Sequence, residues 1–349
     1  MVPRRGLLQH LAKLYLSGLV ALAVGPVVAL AQPRPVLEPE FAYVTSQLDG
    51  ALSVVRLTDM KLVSSIPLTG KPAGVAVSPD AAHVYVTAPD GKVVHVVDAG
   101  TRTLLASKPV GDGPLGIAVH PIDGRVFVAD WYLNRVDVLS PVSLEPIGQI
   151  PVGQSPSGLA VTPDGKWLLS ADRDSNAVSV IAVHTLKVVR TIPVGVRPFG
   201  VTISPDGQKA FTANVKGNSI SVVDLSTFEV TNEIAVGLRP YAVAIAGSFA
   251  FVTDQYAETV SVVDLAKHEV VETIRVGAYP EGIAADPSGR FVYVACWEDN
   301  LFQKIDVATR QVVAETTTPD GPRAFGLFLG QATGEATVPG SSESRPAER

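Results

Sequence analysis

Apolar and polar residues alternate along most of the chain in short runs, and the runs are separated by proline, glycine and aspartate. The segment from Phe199 to Gly237, FGVTISPDGQKAFTANVKGNSISVVDLSTFEVTNEIAVG, contains four such runs, each rich in β-branched residues. Runs of this length and composition predict β-strands. We place the last three of them at 210–213, 219–224 and 230–236. The turn Ser204–Pro205–Asp206–Gly207 should join the first strand to the second as a hairpin.

The first strand follows a Pro-x-Gly/Ala element that recurs along the chain. Successive prolines are 42 residues apart, except for one spacing of 40 where the first hairpin is shortened at 246–248: Pro72, Pro114, Pro156, Pro198, Pro240, Pro280 and Pro322. A regular period of this length indicates a repeat architecture. The pattern therefore predicts an all-β protein made of seven four-stranded antiparallel units.

The two ends of the repeat region are incomplete in complementary ways. The first unit begins at Phe41 with a second strand, whereas the motif at Pro322 supplies a first strand with nothing after it. Pairing the C-terminal strand with the N-terminal three closes a ring and removes open sheet edges. A linear solenoid would need a capping unit at each end, and none is visible. We therefore predict a closed seven-bladed β-propeller over residues 41–329.

The repeated phrases resemble a known family. The units Phe41-Ala-Tyr-Val-Thr, Val84-Tyr-Val-Thr and Phe251-Val-Thr-Asp, with "SPDG" and "IPVG" between them, resemble the YVTN-repeat β-propeller family over essentially all of residues 41–329. The resemblance implies the propeller fold, but its members include binding and surface proteins as well as relatives of enzymes. More distant similarity extends to propeller lactonases, to the propeller subunit of quinoprotein amine dehydrogenases and to haem-binding nitrite reductases. We find no lactonase catalytic set to carry over.

Segments outside the repeats suggest export. Residues 1–31 run from a basic start through an apolar stretch to Ala29-Leu30-Ala31, as in a cleaved signal peptide. Arg4-Arg5 is compatible with a twin-arginine export motif and also with an ordinary basic leader, so the sequence leaves the export route undecided. The alternative is a membrane anchor, but Gly25-Pro26 interrupts the apolar run. Residues 32–40 form a Pro-rich lead-in and residues 330–349 a polar tail that we expect to be disordered. We expect a periplasmic or secreted protein, monomeric and without a transmembrane segment once the leader is removed.

Charge and cysteine content narrow the function. Loss of Arg4, Arg5 and Lys13 with the leader changes the formal charge from -6 to -9, and such an acidic protein is poorly suited to bind nucleic acid. The sole cysteine, Cys296, excludes an intrachain disulfide and a Cys-x-x-Cys-His haem site. We read Cys296 as a buried small residue rather than a reactive thiol. The histidines fall in different columns of the repeat, so no metal site is expected, and no cofactor is predicted.

Candidate chemistry lies where two sets of loops should meet around the channel mouth. The loop before each first strand and the turn after each second strand leave a propeller blade on the same face. Cations and aromatic residues are concentrated there, and we take them as candidate ligand-binding residues: Lys71, Trp131, Arg173, Arg197, Phe199, Arg239, Tyr241, Trp297 and Arg323. The cations could form an anion-binding collar or pair with surface acids. Trp131 and Trp297 could stack on a ligand or pack between blades.

Asp130, Asp172 and Asp254 share the column just past the second strand, where aspartate and asparagine commonly cap backbone amides. The alternative interpretation is that these carboxylates bind calcium, but successive blades separate them.

The leading functional hypothesis is an exported, non-enzymatic binding or scaffold protein whose mouth takes a small anionic or aromatic ligand or a partner protein. The alternatives are a lactonase-like or lyase-like enzyme using Asp130, Asp172 or Glu281, an accessory subunit of a periplasmic quinoprotein dehydrogenase, or a surface scaffold that uses its outer rim.

Overall fold

The structure, a computed structural model, describes residues 39–330. These residues form seven four-stranded antiparallel sheets, each a blade of a closed β-propeller. The predicted signal peptide, most of the Pro-rich lead-in and the C-terminal tail from residue 331 lie outside the described residues. Among the described residues no helix is long and apolar enough to cross a membrane.

Each blade takes its strands in chain order, apart from blade 1, which takes its innermost strand from the C-terminal end. The strands of blades 1 to 3 are as follows: β1 (Phe41–Ser46), β2 (Ala51–Arg56) and β3 (Lys61–Pro67) in blade 1; β4 (Val75–Val77), β5 (His83–Ala88), β6 (Val93–Asp98) and β7 (Thr103–Pro109) in blade 2; β8 (Pro114–Val119), β9 (Val126–Asp130), β10 (Arg135–Leu139) and β11 (Pro146–Pro151) in blade 3.

The strands of blades 4 to 7, with the strand that closes the ring, are as follows: β12 (Pro156–Val161), β13 (Trp167–Asp172), β14 (Ala177–Ala182) and β15 (Lys187–Pro193) in blade 4; β16 (Pro198–Ile203), β17 (Lys209–Asn214), β18 (Ser219–Asp224) and β19 (Glu229–Ala235) in blade 5; β20 (Pro240–Ala246), β21 (Phe249–Asp254), β22 (Thr259–Asp264) and β23 (Glu269–Arg275) in blade 6; β24 (Pro280–Ala285), β25 (Phe291–Cys296), β26 (Leu301–Asp306) and β27 (Gln311–Thr317) in blade 7; β28 (Leu329–Gly330) in blade 1. A 3₁₀ turn, Arg173–Ser175, joins β13 to β14.

The blades pack face to face, and this packing forms the core. The second and third strands of each blade are buried on both faces, as the continuous buried runs of β17 and β18 illustrate. The fourth strands, such as β19, alternate between exposed and buried positions because they form the outer edge. The first strands lie innermost, where β12, β16, β20 and β24 contact one another in sequence.

The proline motif has a packing reason. A Cβ on Gly158 would lie 2.6 Å from the carbonyl oxygen of Phe199 in the next blade, and one on Gly200 would lie 2.6 Å from that of Tyr241. Both distances are too short for a real side chain, so glycine in the Pro-x-Gly element lets the innermost strands approach closely around the channel.

The threonine of the Tyr-Val-Thr phrase links neighbouring blades. Thr87 Oγ1 donates to the carbonyl of Leu115 at 2.6 Å, and Thr253 Oγ1 donates to the carbonyl of Glu281 at 2.8 Å. Each acceptor lies in the first strand of the following blade. The repeated phrase therefore carries a hydrogen bond between blades as well as a strand.

The ring closes as predicted, by pairing the C-terminal segment with β1. The closing segment is irregular: β28 contributes two residues to the sheet, while Arg323 N donates to the Thr45 carbonyl at 2.8 Å and Tyr43 N to the Phe328 carbonyl at 2.9 Å. Gly326 has φ +123°, which interrupts the strand between these two bonds. Closure therefore uses a bent segment from Pro322 to Gly330.

Candidate functional site

The two sets of loops meet on one face, as the repeat pattern predicts. In blade 5 the backbone N–H of Val215, just past β17, donates to the Arg197 carbonyl at 3.0 Å, and that of Lys216 donates to the Val196 carbonyl at 3.1 Å. The same pairing recurs in blade 6, where Gln255 N donates to the Arg239 carbonyl at 3.0 Å. These loops and turns form the surface that we call the mouth.

The residue before each repeat proline is held in an unusual backbone conformation. Arg197 and Arg239 both have φ +57°, in the left-handed region that non-glycine residues rarely adopt. An asparagine from the adjacent turn supports each of them: Asn176 Oδ1 accepts from Arg197 N at 2.8 Å, and Asn218 Oδ1 accepts from Arg239 N at 2.9 Å. The left-handed backbone and the asparagine bond therefore fix where the Arg197 and Arg239 side chains leave the loop.

Sequence reasoning missed this supporting asparagine, although its signal is present in the repeat register. The residues that occupy the position and accept in this way are Asn134, Asn176, Asn218 and Asn300.

Two of the predicted collar cations have acidic partners at the rim. Lys71 Nζ lies 3.0 Å from Asp90, and Arg197 Nε lies 3.5 Å from Asp174, which Arg173 Nη1 also contacts at 2.9 Å. Exposed ion pairs of this kind contribute little to stability, but they balance local charge. The collar at these blades is therefore a set of ion pairs rather than a ring of unmatched cations.

Arg323 lies at the centre of a largely buried polar cluster, which we call the hub. Its Nε lies 2.8 Å from Glu281 Oε2, and its Nη2 donates to the Tyr241 hydroxyl at 2.6 Å. Gln255 Nε2 donates to the other Glu281 oxygen at 2.8 Å. The hub joins blades 6 and 7 to the closing segment of blade 1.

Burial and the neighbouring charges shift the pKa values of Glu281 and Arg323 in opposite directions. Burial raises the pKa of Glu281, while the Arg323 guanidinium and the Gln255 amide oppose that rise. Burial also raises the pKa of Tyr241, which keeps its hydroxyl protonated. Burial lowers the pKa of Arg323, but Glu281 and Tyr241 outweigh that effect and raise it. Arg323 is consequently a cation whose charge Glu281 already matches.

Several aromatic rings cluster beside the hub. The Phe199 ring centroid lies 4.4 Å from that of Tyr241 and 5.0 Å from that of Phe325. The ring centroids of Trp131 and Phe199 are 6.4 Å apart, and the Arg173 guanidinium carbon lies 5.3 Å from the centroid of the Trp131 ring. Phe199, Tyr241, Trp131 and Arg173 were predicted site residues and do come together, whereas Phe325 was not predicted.

A second group of aromatic residues lies on the surface of the mouth. The Arg239 guanidinium carbon lies 4.6 Å from the centroid of the Tyr256 ring. The ring centroids of Tyr256 and Tyr279 are 5.3 Å apart, and those of Tyr279 and Trp297 are 6.3 Å apart. We call these four residues the aromatic strip. Tyr256 is 49% exposed. Arg239 and Trp297 were predicted, while Tyr256 and Tyr279 join them because successive turns of blades 6 and 7 are adjacent.

The aspartates that the sequence places just past the second strands are the last residues of those strands, and they cap backbone amides. Asp130 accepts from the backbone N–H groups of Asp112 at 2.8 Å and Gly113 at 3.2 Å, and Asp172 accepts from Gly153 N at 3.0 Å. Each is fully buried.

Asp254 occupies the same position with less support. Its Oδ2 accepts from Ser261 Oγ at 2.6 Å and Thr259 Oγ1 at 3.1 Å, but its buried Oδ1 has no hydrogen-bond partner among the described residues. Burial raises the pKa of Asp254 to about 6, against the opposing effect of the two hydroxyls. Cys296, one blade on, is also buried, and burial raises its pKa to about 12.

Within residues 39–330 no group of three or more His, Cys, Asp or Glu side chains is placed to hold a metal ion. The polar groups of the described mouth are the guanidinium, ammonium, hydroxyl, indole and amide groups of the residues named above, together with the carboxylates.

The fold and this mouth define a seven-bladed repeat β-propeller. The family model of YNCE-like β-propellers matches residues 203–289, which span parts of blades 5, 6 and 7, and the resemblance to YVTN-repeat propellers is confirmed. No curated protein matches the chain.

Solved structures with the same fold include a functionally unknown protein from Desulfotomaculum acetoxidans, with a TM-score of 0.73 and 17% identity over 84% of this chain and 99% of that one. Hydrazine synthase from Kuenenia stuttgartiensis matches with a TM-score of 0.69 and 20% identity over 81% of this chain and 99% of its own. The dihydro-heme d1 dehydrogenase NirN, solved in complex with DHE, matches with a TM-score of 0.64 and 17% identity over 87% and 78% of the two chains. At these identities the likeness shows the fold.

Proposed function

We propose that this protein is an exported binding propeller that uses its mouth to hold a small anionic or aromatic ligand or a partner protein. The observation that carries the proposal is the aromatic strip, where three aromatic rings and the Arg239 guanidinium follow one another across two blades. Aromatic side chains that remain on a surface with polar groups at their edges are typical of recognition sites.

Arg239 carries the electrostatic part of the proposal. Among the described residues it has no carboxylate partner, unlike Lys71, Arg197 and Arg323. Its guanidinium lies over the Tyr256 ring, so a ligand that approaches this ring also meets a positive charge. An aromatic anion or an electron-rich group of a partner fits that combination.

A binding role is favoured over the enzyme alternatives by the state of the candidate acids. Asp130 and Asp172 accept from backbone amides, and Glu281 is paired with Arg323 and Gln255. A general acid or base must have a proton position that a substrate can reach. Turnover on a panel of lactones, lost on Asp172→Asn substitution, would instead favour the lactonase-like alternative.

The export part of the proposal is supported by the leader-like residues 1–31. A C-terminally tagged chain should appear in the periplasm or medium, and deletion of residues 2–31 should retain it inside the cell. Replacing Arg4 and Arg5 by Lys should block export only if the twin-arginine route is used. Intracellular retention of the intact chain would contradict the proposal.

The binding part can be tested with naphthalene-2-sulfonate, an aromatic anion, by isothermal titration calorimetry. Tyr256→Ala and Arg239→Ala should each weaken binding by about 10-fold, since a ring or a cation is removed from the surface without disturbing the core. Ile122→Ala, an exposed apolar change in the β8–β9 hairpin of the opposite face, is the matched control. Equal affinities in all four proteins would remove the strip from the proposal.

A further inference from the structure

We propose that Val36 and Leu37 of this chain bind an apolar pocket of blade 1, on the face opposite the mouth, and take the place that a hairpin has in the other blades. The pocket has a volume of about 310 Å³, and its walls include Pro39, Ala81 and Leu327. The inference goes beyond the proposed function, which concerns the mouth. Residues 36–38 lie outside the described residues, and their expected places come from the repeat register.

Hairpins between the first and second strands pack against one another on this face. A Cβ on Gly207, in the blade 5 hairpin, would lie 3.2 Å from Pro163 Cδ in the blade 4 hairpin. A Cβ on Gly165 of blade 4 would lie 3.3 Å from Ile122 Cδ1 of blade 3. The glycine position of one hairpin therefore meets an apolar side chain of the hairpin before it.

Blade 1 takes its first and second strands from opposite ends of the described chain, so no hairpin joins them. The repeat register nevertheless continues back to Glu40. Its carbonyl accepts from Leu57 N at 2.9 Å, as the Gln208 carbonyl of blade 5 accepts from Leu225 N at 2.9 Å. The Glu40 N–H also donates to the Gly330 carbonyl at 3.0 Å. The two chain segments therefore leave blade 1 at the place where a hairpin lies in the other blades.

The register shows which residue corresponds to the hairpin proline. Pro163 lies four residues before β13, and Leu37 lies four residues before β1. Glu38 then corresponds to Asp164, so the segment repeats the order of an apolar residue followed by an acidic one. Counted from the other side, Gln331 follows the residue that pairs with the start of β1. Leu37 is apolar, as proline is, whereas Gln331 is polar.

The lining of the pocket suits an aliphatic side chain. Ala81 holds the position of Gly207 in the blade 2 hairpin, and it lines the pocket. By the packing of the other hairpins, Ala81 should meet the residue of blade 1 that corresponds to Pro163, which is Leu37. Leu327, on another wall, is 72% exposed. Covering these apolar groups removes them from water, which is favourable.

Chain connectivity favours this segment over other occupants. Pro39 lines the pocket, and two residues of extended chain span at most about 7 Å, so Leu37 is held beside it. An occupant tethered in this way loses less translational freedom on binding than a free ligand does. The segment after Gly330 is equally close, but its residues 331–337, QATGEAT, are small or polar.

Hydrogen exchange with mass spectrometry tests the position of the segment directly. We expect the backbone N–H groups of residues 36–38 to exchange at least about 10-fold more slowly than those of residues 333–335, because a bound segment opens less often. In Leu37→Ser that protection should be lost, while the exchange of β1 and β2 should not change.

Thermal unfolding tests the contact between the segment and the pocket. Leu37→Ser and Leu327→Ser should each lower the unfolding midpoint by about 2–4 °C. The double variant should fall no further than the larger single loss, because both changes remove one shared contact. Leu238→Ser is the matched control, since Leu238 is 55% exposed in a loop of the mouth, and it should shift the midpoint by less than about 1 °C.

Three results would overturn the inference. Slow exchange of residues 333–335 in place of 36–38 would assign the pocket to the C-terminal segment. Fast exchange of both segments, with no shift in the midpoint of Leu37→Ser, would leave the pocket to an external apolar ligand. A loss in the double variant equal to the sum of the two single losses would mean that Leu37 and Leu327 do not share a contact.

Discussion

Arg323 Nη2 donates to the Tyr241 hydroxyl at 2.6 Å and so joins the closing segment of blade 1 to the innermost strand of blade 6. Glu281 of blade 7 lies between these blades and contacts the same guanidinium at 2.8 Å. Backbone pairing at β28 covers two residues, and separate backbone bonds, such as the one from Arg323 N to the Thr45 carbonyl, hold the rest of the closing segment. The hub thus contributes to ring closure, in addition to lying at the mouth.

Removal of the Arg323 charge should therefore destabilise the propeller. In Arg323→Met the Glu281 carboxylate loses its counter-ion while it stays buried, and breaking a buried pair in this way typically costs about 3–5 kcal/mol. Urea denaturation at pH 7 measures the loss. The double variant Arg323→Met, Glu281→Gln should recover a large part of it. A single variant as stable as the parent would mean that Glu281 is reached by solvent or takes up a proton in place of its counter-ion.

The repeat register predicts which hub residues are neighbours, and the residue types alone do not. Tyr241, Glu281 and Arg323 occupy the same position of successive repeats, so a closed ring makes them neighbours. The register therefore predicts their proximity. It does not predict that Arg323 turns to Glu281 instead of remaining open to a ligand, because that choice depends on side-chain rotamers and on the depth of the channel.

Phe325 shows where the register fails. It lies two residues past Arg323 in a closing segment that departs from regular strand geometry, with Gly326 at φ +123°. The ring of Phe325 therefore reaches Phe199 and Tyr241 by a path that an ideal strand would not take. Regular repeats predict regular positions, and the irregular end of the ring falls outside that reasoning.

The interblade threonine bond should be measurable by itself. Thr87 Oγ1 donates to the Leu115 carbonyl and accepts from Gly74 N at 2.9 Å. Thr87→Val keeps the shape of the side chain but removes the partner of the buried Gly74 N–H and of the part-buried Leu115 carbonyl, which should lower the free energy of unfolding by about 1–3 kcal/mol. Thr191→Val, at an exposed position on β15, should change it by less than about 0.5 kcal/mol. Similar losses in the two variants would contradict a bond between blades.

Glycine at the innermost strand should be difficult to replace. Gly158→Ala places a Cβ 2.6 Å from the Phe199 carbonyl oxygen and 2.9 Å from Val201 N, both backbone atoms of the next blade. The blades must separate to admit it, and overpacking of this kind costs about 1–3 kcal/mol. Blade 6 carries Ala242 at the same repeat position, so Ala242→Gly is the matched control and should cost about 1 kcal/mol or less. Thermal unfolding of both variants measures these costs. A Gly158→Ala protein as stable as the wild type would show that the innermost strands can accommodate a methyl group at this position.

The carboxyl of Asp254 should make stability depend on pH. Its pKa is raised by burial to about 6 from the ordinary value of 3.8, so the folded state favours the protonated form. The wild-type protein then loses this contribution to stability as pH rises from about 4 through 6 and loses no more of it above about pH 7. A difference of about two pKa units corresponds to roughly 3 kcal/mol.

Asp254→Asn removes that titration, and Asn214 shows that the same position in blade 5 accepts an amide, bonded to Thr212, Ser219 and Ser221. The variant should match the wild type near pH 4 and exceed it by up to about 3 kcal/mol at pH 7.5 in urea denaturation. Asp206→Asn is the control, because a hydrogen bond from Ser204 lowers the pKa of Asp206 in its exposed turn. The contribution of that carboxylate is complete above about pH 5 and is lost only at lower pH, so the difference between this variant and the wild type should stay nearly constant from about pH 5 to 7.5. A wild-type minus Asp254→Asn difference that stays constant from pH 4 to 7.5 would show that the Asp254 carboxyl is as well satisfied when charged as when neutral.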